Sequence, residues 1–270
     1  MSSTIKADVD LSPEEKRALL ARLLQEKAGS SPTRKGLTHI QPVPRDARAE
    51  LPLSFAQQRL WFLDQLDPGS PVYNVPAAIR LKGPLNVAAL DQGLGEVLRR
   101  HEALRTTFST VEGRPVQVIS PALPPALSVV DLRDLPETER EARVLLLATR
   151  QAQQPFDLAR SPLLRATLMQ LGEEEHVLLL VLHHIAGDGW SLRPLLRDLG
   201  ALYRARLEGT SASLPPLPVQ YADYALWQQA VLGEEGEAAS AIARQLAFWK
   251  GALKELPEQL DLPADRVRPA

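Results

Sequence analysis

The stretch VLLLVLHHIAGDGWS, from Val177 to Ser191, decides the fold of this chain. Its first six residues are apolar, a run too short for a buried helix but the right length for a strand buried on both faces. Ser191 begins the segment SLRPLL, which predicts a helix with Ser191 as its N-cap. His183 and His184 therefore lie where a buried strand ends and a loop leads to a helix, a position that favours functional side chains.

The two histidines are expected to have different roles. Adjacent side chains in a strand point to opposite faces, so only one of the two can project into a given cleft. That residue is either a catalytic group, because histidine titrates near neutrality, or a structural histidine. Asp188 has three interpretations: it orients His184, ligates a metal with both histidines, or forms a buried ion pair. Gly189 either allows backbone or substrate to approach closely or is a turn glycine.

The rest of the sequence predicts an α/β (α+β) fold, a mixed sheet flanked by helices. The predicted strands do not alternate strictly with helices. The last two strands, at about 163–171 and 176–183, are expected to pair as antiparallel strands. A hairpin is expected to turn at Glu112 and Gly113. Helices are predicted at about 54–66, 86–100, 136–153, 191–207 and 221–254, and strands at about 72–82, 104–110, 115–119, 127–130, 163–171 and 176–183.

Residues 1–50 differ in character from the remainder. Ser12-Pro13-Glu14-Glu15 is a capping box with proline at the first helical position, and leucines at helical spacing follow it. These features predict a short helix at about 12–27 within an N-terminal segment 1–30. Residues 31–50 are rich in Pro, Ser and Arg and predict a linker or extended arm. The N-terminal segment is either a docking element for an upstream subunit or a disordered tail.

Composition excludes several classes of function. The chain has 31 basic and 33 acidic residues, so it lacks the positive charge typical of nucleic-acid binding. It has no cysteine, which excludes disulfides and thiol chemistry. No apolar run approaches the roughly 20 residues of a membrane helix, and the N-terminus has no signal-peptide pattern. The sequence therefore predicts a cytoplasmic protein with no nucleic-acid or membrane partner.

Four motifs occur in a fixed order and together resemble one family. The central motif is HHIAGDG at His183–Gly189, with Trp190 and Ser191 after it. The chain as a whole resembles the condensation domains of non-ribosomal peptide synthetases, within the chloramphenicol acetyltransferase-like acyltransferases. The AQQR form of the first motif is closest to the subtype that accepts an L-configured donor. The other three motifs are SFAQQRLWFL at Ser54–Leu63, RHEALRTTF at Arg100–Phe108 and YADYALW at Tyr221–Trp227.

The resemblance implies an architecture and a reaction. Domains of this family have two similar lobes with the active site between them, and residues 51–270 correspond to the N-terminal lobe, so the C-terminal lobe is expected to be absent. The family joins a carrier-bound acyl or peptidyl thioester to the amine of a downstream aminoacyl thioester. The implied partners are upstream and downstream carrier domains, an upstream synthetase subunit bound through residues 1–30, and a C-terminal lobe if one is encoded separately. No directly bound cofactor or metal is implied, only the phosphopantetheine of the carriers.

The resemblance also implies roles for individual residues. His184 is the expected catalytic residue, as a base or as a group that holds the amine, and His183 is expected to be structural. Asp188 is expected to pair with Arg100, while Arg105 either lines the cleft or supports its loop. This segment alone is expected not to catalyse condensation; the alternative function is a truncated, non-catalytic fragment or recruitment module. The motif aromatics, Trp61, Trp190, Tyr221, Tyr224 and Trp227, are expected to lie in the core.

Overall fold

A computed structural model describes residues 39–45, 51–121, 127–257 and 266. The predicted helix at 12–27, the segment 1–30 and most of the arm 31–50 lie outside the described residues. The residues from Gln41 onward belong to one compact unit. The described ranges contain no helix long and apolar enough to cross a membrane.

Helices and strands alternate irregularly along the chain. A 3-10 turn, Glu102–Arg105, follows the helix that ends at Arg100. The described helices are α1 (Phe55–Leu66), α2 (Val87–Arg100), α3 (Glu137–Gln153), α4 (Gly189–Glu208), α5 (Tyr221–Leu232) and α6 (Ala241–Ala252). The described strands are β1 (Leu51–Pro52), β2 (Asn74–Lys82), β3 (Thr106–Val111), β4 (Arg114–Ile119), β5 (Leu127–Asp131), β6 (Leu164–Gln170) and β7 (Glu175–His183).

The strands form two sheets. The larger has the order β2-β7-β6-β5, with β5 parallel to β6 and the other pairs antiparallel, so the predicted mixed sheet is confirmed. The register places Asn74 of β2 opposite His183 of β7. The β3–β4 hairpin belongs instead to a second sheet, β1-β4-β3. Its turn lies at Glu112 and Gly113 as expected, and both have positive φ, at 49° and 78°.

Strand β7 is the centre of the core. Every residue from His176 to His183 is buried, because helices cover both faces of the sheet. Leu178, Leu180 and Leu182 pack with α2 and α4, whereas Leu179 and Val181 pack with α3. Each such side chain stabilises the fold by about 1.5–3 kcal/mol through burial. Two-sided burial explains why the run is continuously apolar rather than alternating.

Two predicted helix boundaries were wrong. Helix α4 begins at Gly189 with Asp188 as its N-cap, three residues before the predicted N-cap, Ser191. The helix predicted from 221 to 254 is two helices, because Gly233 adopts φ 71° and Ser240 caps a new start. A positive φ ends an α-helix, and glycine adopts it without steric cost. Asn86 caps α2 as predicted, accepting a hydrogen bond from Ala89 N at 3.0 Å.

Candidate active site

The two histidines lie where β7 passes into a short turn: His183 is the last residue of the strand and His184 the first of the turn. The backbone N–H of His183 still bonds within the sheet region, to Leu163 O at 3.1 Å. The next N–H, of His184, bonds to Tyr73 O at 2.8 Å, and Ala186 N closes the turn on His183 O at 2.9 Å. With its backbone held at these three points, the chain buries the first histidine and exposes the second.

His184 lies in a groove of about 430 Å³ beside α1. Its Nδ1 is 3.1 Å from the carbonyl oxygen of Gly187. A carbonyl oxygen only accepts, so Nδ1 carries the proton in the neutral ring and Nε2 is left as the acceptor. Within the described part of the chain Nε2 has no hydrogen-bond partner, so a substrate proton can be received there. The other groove residues are Ala56, Arg59, Leu60, Leu63, Tyr73, Ile185, Ala186, Asp188, Ser191 and Tyr221.

His183 is 3% exposed and packs among aromatic rings. The ring of Phe156 meets it in a T-shaped arrangement at a centroid distance of 6.0 Å, and the ring of Tyr73 lies 6.4 Å away. Its Nδ1 accepts a hydrogen bond from Ile185 N at 3.2 Å. Burial, followed by the electrostatic effects of the neighbouring His184 and Arg165, lowers the pKa of His183 to about 4. The ring is therefore neutral at pH 7, and its contacts are those of a packing residue.

The buried ring makes stability depend on pH. The folded-state pKa of His183, about 4, is below the ordinary value of 6.5, so the unfolded state binds this proton first as pH falls. The stabilisation is complete above pH 6.5 and is lost progressively towards about pH 4. We expect urea unfolding of the parent to show this loss and that of His183→Gln to show a smaller one. His184→Gln is the matched control and should keep the parent's pH dependence. If the free energy of unfolding fell equally steeply with pH in the parent and in His183→Gln, the assignment would be contradicted.

The predicted Asp188–Arg100 ion pair was wrong. Asp188 caps α4: its Oδ1 accepts from Ser191 N at 2.9 Å and Ser191 Oγ at 2.7 Å, while Asp188 N donates to Ser191 Oγ at 3.0 Å. The hydrogen bond from the Ser191 side chain is the main cause of the lowered pKa of Asp188. Its short side chain is committed to the helix start, which needs an acceptor there. No hydrogen bond joins Asp188 to His184, and the described ranges contain no metal-binding cluster of His, Cys, Asp and Glu.

Asp188→Ala is expected to lower the free energy of unfolding by about 1 kcal/mol, the usual cost of losing an N-cap. Urea unfolding monitored by circular dichroism measures it. Ser191→Ala, which removes the other half of the capping box, is the companion variant with a loss of similar size. A loss of about 3–5 kcal/mol in Asp188→Ala alone would restore the buried ion-pair interpretation.

The carboxylate partner of Arg100 is Asp198, a residue that sequence reasoning missed. Asp198 is completely buried. Its Oδ2 accepts from Arg100 Nε at 2.9 Å and lies 3.0 Å from His101 Nε2, and its Oδ1 accepts from Arg197 at 2.8 Å. Burial opposes ionisation, but these three hydrogen bonds outweigh it and lower the pKa of Asp198. The sequence signal for Asp198 was its position on the same face of α4 as the apolar residues 195, 199 and 202. A carboxylate on a buried face needs a hydrogen-bonding or charged partner.

Arg105 does not line the His184 groove and no backbone approaches Gly189 closely, whereas an approach of substrate to Gly189 stays a prediction. The Arg105 guanidinium donates to Ser120 O and lies 3.9 Å from Glu102, in a cavity apart from the His184 groove. Gly189 is the exposed first residue of α4, and a Cβ there would meet no atom within 4 Å. The close approach is instead at Gly187, where a Cβ would lie 3.1 Å from Ser191 Cβ. Only a glycine fits this turn without a shift of its neighbours.

Two of the motif aromatics expected in the core are exposed. Trp190, the second residue of α4, is 86% exposed. Tyr221 lines the groove, and its hydroxyl is 3.0 Å from Ser54 Oγ. Arg59 and Tyr73 line the same groove and were not singled out from the sequence. Arg59 follows the buried Gln57 by half a helical turn, so it lies on the opposite, exposed side of α1.

Comparison with known proteins now identifies the family. A model of the condensation domain matches residues 47–270, so the chain belongs to the condensation-domain family of non-ribosomal peptide synthetases, as its four motifs predicted. The dimodular nonribosomal peptide synthase of Bacillus subtilis is 50% identical over 223 residues, which are 82% of this chain and 9% of that protein. The phosphinothricin tripeptide synthetase PhsC of Streptomyces viridochromogenes is 45% identical over 262 residues, which are 96% of this chain and 23% of that protein. The L-donor subtype stays a prediction.

Solved structures support the same fold. The X-domain in its complex with OxyB from teicoplanin biosynthesis has a TM-score of 0.71 at 38% identity, covering 87% of this chain and 50% of that chain. The first condensation domain of the CDA synthetase has a TM-score of 0.65 at 26% identity, covering 78% of this chain and 52% of that chain. The chain thus spans a small part of the synthetases and about half the length of these solved domains.

Proposed function

We propose that this chain contributes the His184 half of a site that forms peptide bonds between two carrier-bound thioesters. The observation that carries the proposal is the exposed His184 ring, with Nδ1–H held by Gly187 O and Nε2 left as an acceptor in the groove. A proton acceptor held in this way suits a reaction in which an amine loses a proton. Condensation in this family is such a reaction.

The proposed chemistry begins when the neutral amine of the downstream aminoacyl thioester attacks the carbonyl carbon of the upstream thioester. A C–N bond forms, and collapse of the tetrahedral intermediate breaks the C–S bond. The amine proton passes to Nε2 of His184, which then gives it to the departing thiolate of the upstream phosphopantetheine. Because a thioester is already activated, a hydrogen bond that positions the amine supplies part of the rate. No directly bound cofactor takes part in this proposal; both substrates arrive on carrier domains.

The test uses a two-lobed version of the domain, since this chain spans about half the length of its solved relatives. Upstream and downstream carriers are loaded with thioesters, and mass spectrometry follows the dipeptide on the downstream carrier. Product that depends on both loaded carriers supports the proposal. Absence of product from a folded protein, with several cognate-like donors and acceptors, would overturn it.

A second candidate function is recruitment of a partner enzyme without condensation. It is favoured by the similarity to the X-domain, whose solved complex contains OxyB. Trp190, which adjoins the groove residue Ser191 in sequence, is 86% exposed, and an exposed aromatic ring suits a partner surface. The condensation assay separates the two candidates, because a recruitment module forms no dipeptide with loaded carriers.

A further inference from the structure

Arg165 of β6 is held by backbone carbonyl oxygens. Its guanidinium donates to three carbonyl oxygens at the C-terminal end of α3: Gln151 at 3.2 Å, Gln154 at 2.5 Å and Pro155 at 3.1 Å. Its Nε is buried without a hydrogen-bond partner in the described ranges, and no carboxylate there forms an ion pair with it. The charge is thus held by the carbonyls that a helix end leaves unpaired, and not by an acidic side chain.

The same guanidinium lies over an aromatic ring that contacts the active-site turn. The Cζ atom of Arg165 is 3.7 Å from the centroid of Phe156, within the range of a cation–π interaction. The rings of Phe156 and His183 form a T-shaped pair with an interplanar angle of 78°. Asn74, directly opposite His183 in the sheet, also binds this helix end, donating to Ala152 O at 2.7 Å and to Gln154 O at 2.8 Å. Strands on both sides of β7 therefore hold the helix end that packs on His183.

The orientation of the His183 ring determines one hydrogen bond of the turn. Its Nδ1 accepts from Ile185 N at 3.2 Å, so the neutral ring must carry its proton on Nε2. A rotated or protonated ring could not accept this bond. Ile185 directly follows His184, whose own N–H is fixed by Tyr73 O. Anything that fixes the His183 ring therefore fixes the backbone that carries His184.

We propose that Arg165 is a positioning residue for the His184 site, acting through Phe156 and His183 on the turn at the end of β7. The role of this residue in catalysis rests on the proposed function; its role in fixing the turn does not. Among the described residues, the titratable groups that contribute to the lowered pKa of His183 are His184 and Arg165 itself. Arg165 thus fixes the ring by packing and, through its charge, favours the neutral form that accepts from Ile185.

The same helix provides a matched control. Arg140 of α3 also donates to three carbonyls, Leu135 O at 2.9 Å, Leu171 O at 2.7 Å and Arg133 O at 2.9 Å. Arg140 lies near the opposite end of α3 from the Arg165 contacts and makes no aromatic contact in the described ranges. Arg140→Met and Arg165→Met therefore each remove a guanidinium that donates to three carbonyl oxygens. Only Arg165→Met also removes the link to His183.

The first measurement uses the 270-residue chain and needs no activity. Nitrogen-15 NMR of the His183 ring and the Ile185 amide reports the tautomer and its hydrogen bond. In Arg165→Met we expect loss of the single Nε2–H tautomer, a shifted Ile185 amide and protonation of His183 at higher pH. Phe156→Leu, which keeps apolar volume, should give the same change in tautomer and amide. Arg140→Met should leave both at parent values; parent-like signals in Arg165→Met would overturn the proposal.

The second measurement is the condensation assay in the two-lobed version. Arg165→Met is expected to lower kcat about 10-fold or more with little change in KM, because misplacement of a reacting group weakens catalysis more than binding. Arg140→Met should retain the parent kcat. An altered turn by NMR with parent kcat would overturn the positioning role. If the parent itself forms no product, the proposed function fails, while the NMR result still decides the link from Arg165 to the turn.

Discussion

Replacing His184 with alanine in a two-lobed version of the domain is expected to lower kcat/KM for condensation at least ~100-fold. The ring is exposed in the groove, and its Nδ1–H is held by Gly187 O, so the substitution removes the acceptor Nε2 and leaves the sheet intact. Little stability should be lost, because the exposed side chain contributes little to the core. Mass spectrometry of the dipeptide on the downstream carrier measures the rate, and a melting curve checks the fold.

Two further variants sharpen this test. His39→Ala removes another exposed histidine, one that does not line the groove, and should keep the parent rate. His184→Gln retains a hydrogen-bonding side chain but cannot take a proton at neutral pH. Activity in His184→Gln well above that of His184→Ala would assign positioning of the amine, whereas equal losses would assign proton transfer. Near-parent turnover by a folded His184→Ala would refute the site assignment.

Removing the carboxylate of Asp198 should have the largest effect on stability. In Asp198→Ala, Arg100, Arg197 and His101 lose their shared acceptor, and the partly buried Arg100 guanidinium is left without a carboxylate. Breaking a buried pair in this way costs about 3–5 kcal/mol. Arg197 is largely exposed and can return to water, so most of the penalty falls on Arg100, which links α2 to α4. Urea unfolding at pH 7 measures the loss.

The comparison with Asp188→Ala makes the Asp198 prediction specific. Both variants remove an aspartate associated with α4. Asp188→Ala loses a partly exposed N-cap, whereas Asp198→Ala loses the buried carboxylate at the centre of an ion-pair cluster. We expect Asp198→Ala to lose at least about 1 kcal/mol more than Asp188→Ala. Equal losses, or a loss below about 1 kcal/mol in Asp198→Ala, would show that the Arg100 cluster contributes no net stability.

Most of the secondary structure could be predicted, because it follows from local pattern. The apolar run before His183 became the central strand β7, and Asn86 capped α2 as expected. The failures were also local and had identifiable signals. Gly233 splits the last predicted helix, and Asp188 takes the N-cap three residues before Ser191. The polar stretch GEEGE at 233–237 marks the first break, whereas Asp188 and Ser191 are both good N-cap residues, and only the cap hydrogen bonds show which of them is used.

The candidate site was predicted in part. The family motifs led to His184, and the structure supports that choice by placing its ring in the groove. The groove wall formed by Arg59, Tyr73 and Tyr221 was not anticipated, because these residues come from three separate parts of the fold. A wall of this kind depends on how α1, β2 and α5 pack around one turn. Sequence periodicity assigns each element a face but does not say which faces meet.

By itself, the sequence determined that His183 and His184 diverge at the end of a buried strand, since alternation is a property of the local backbone. Only the tertiary structure decided which of the two is exposed: Phe156 and the end of α3 cover His183, while His184 opens into the groove beside α1. The partner of Arg100 was decided in the same way. An ion pair needs two groups brought into contact by packing of distant segments, and the local sequence carries no measure of that distance.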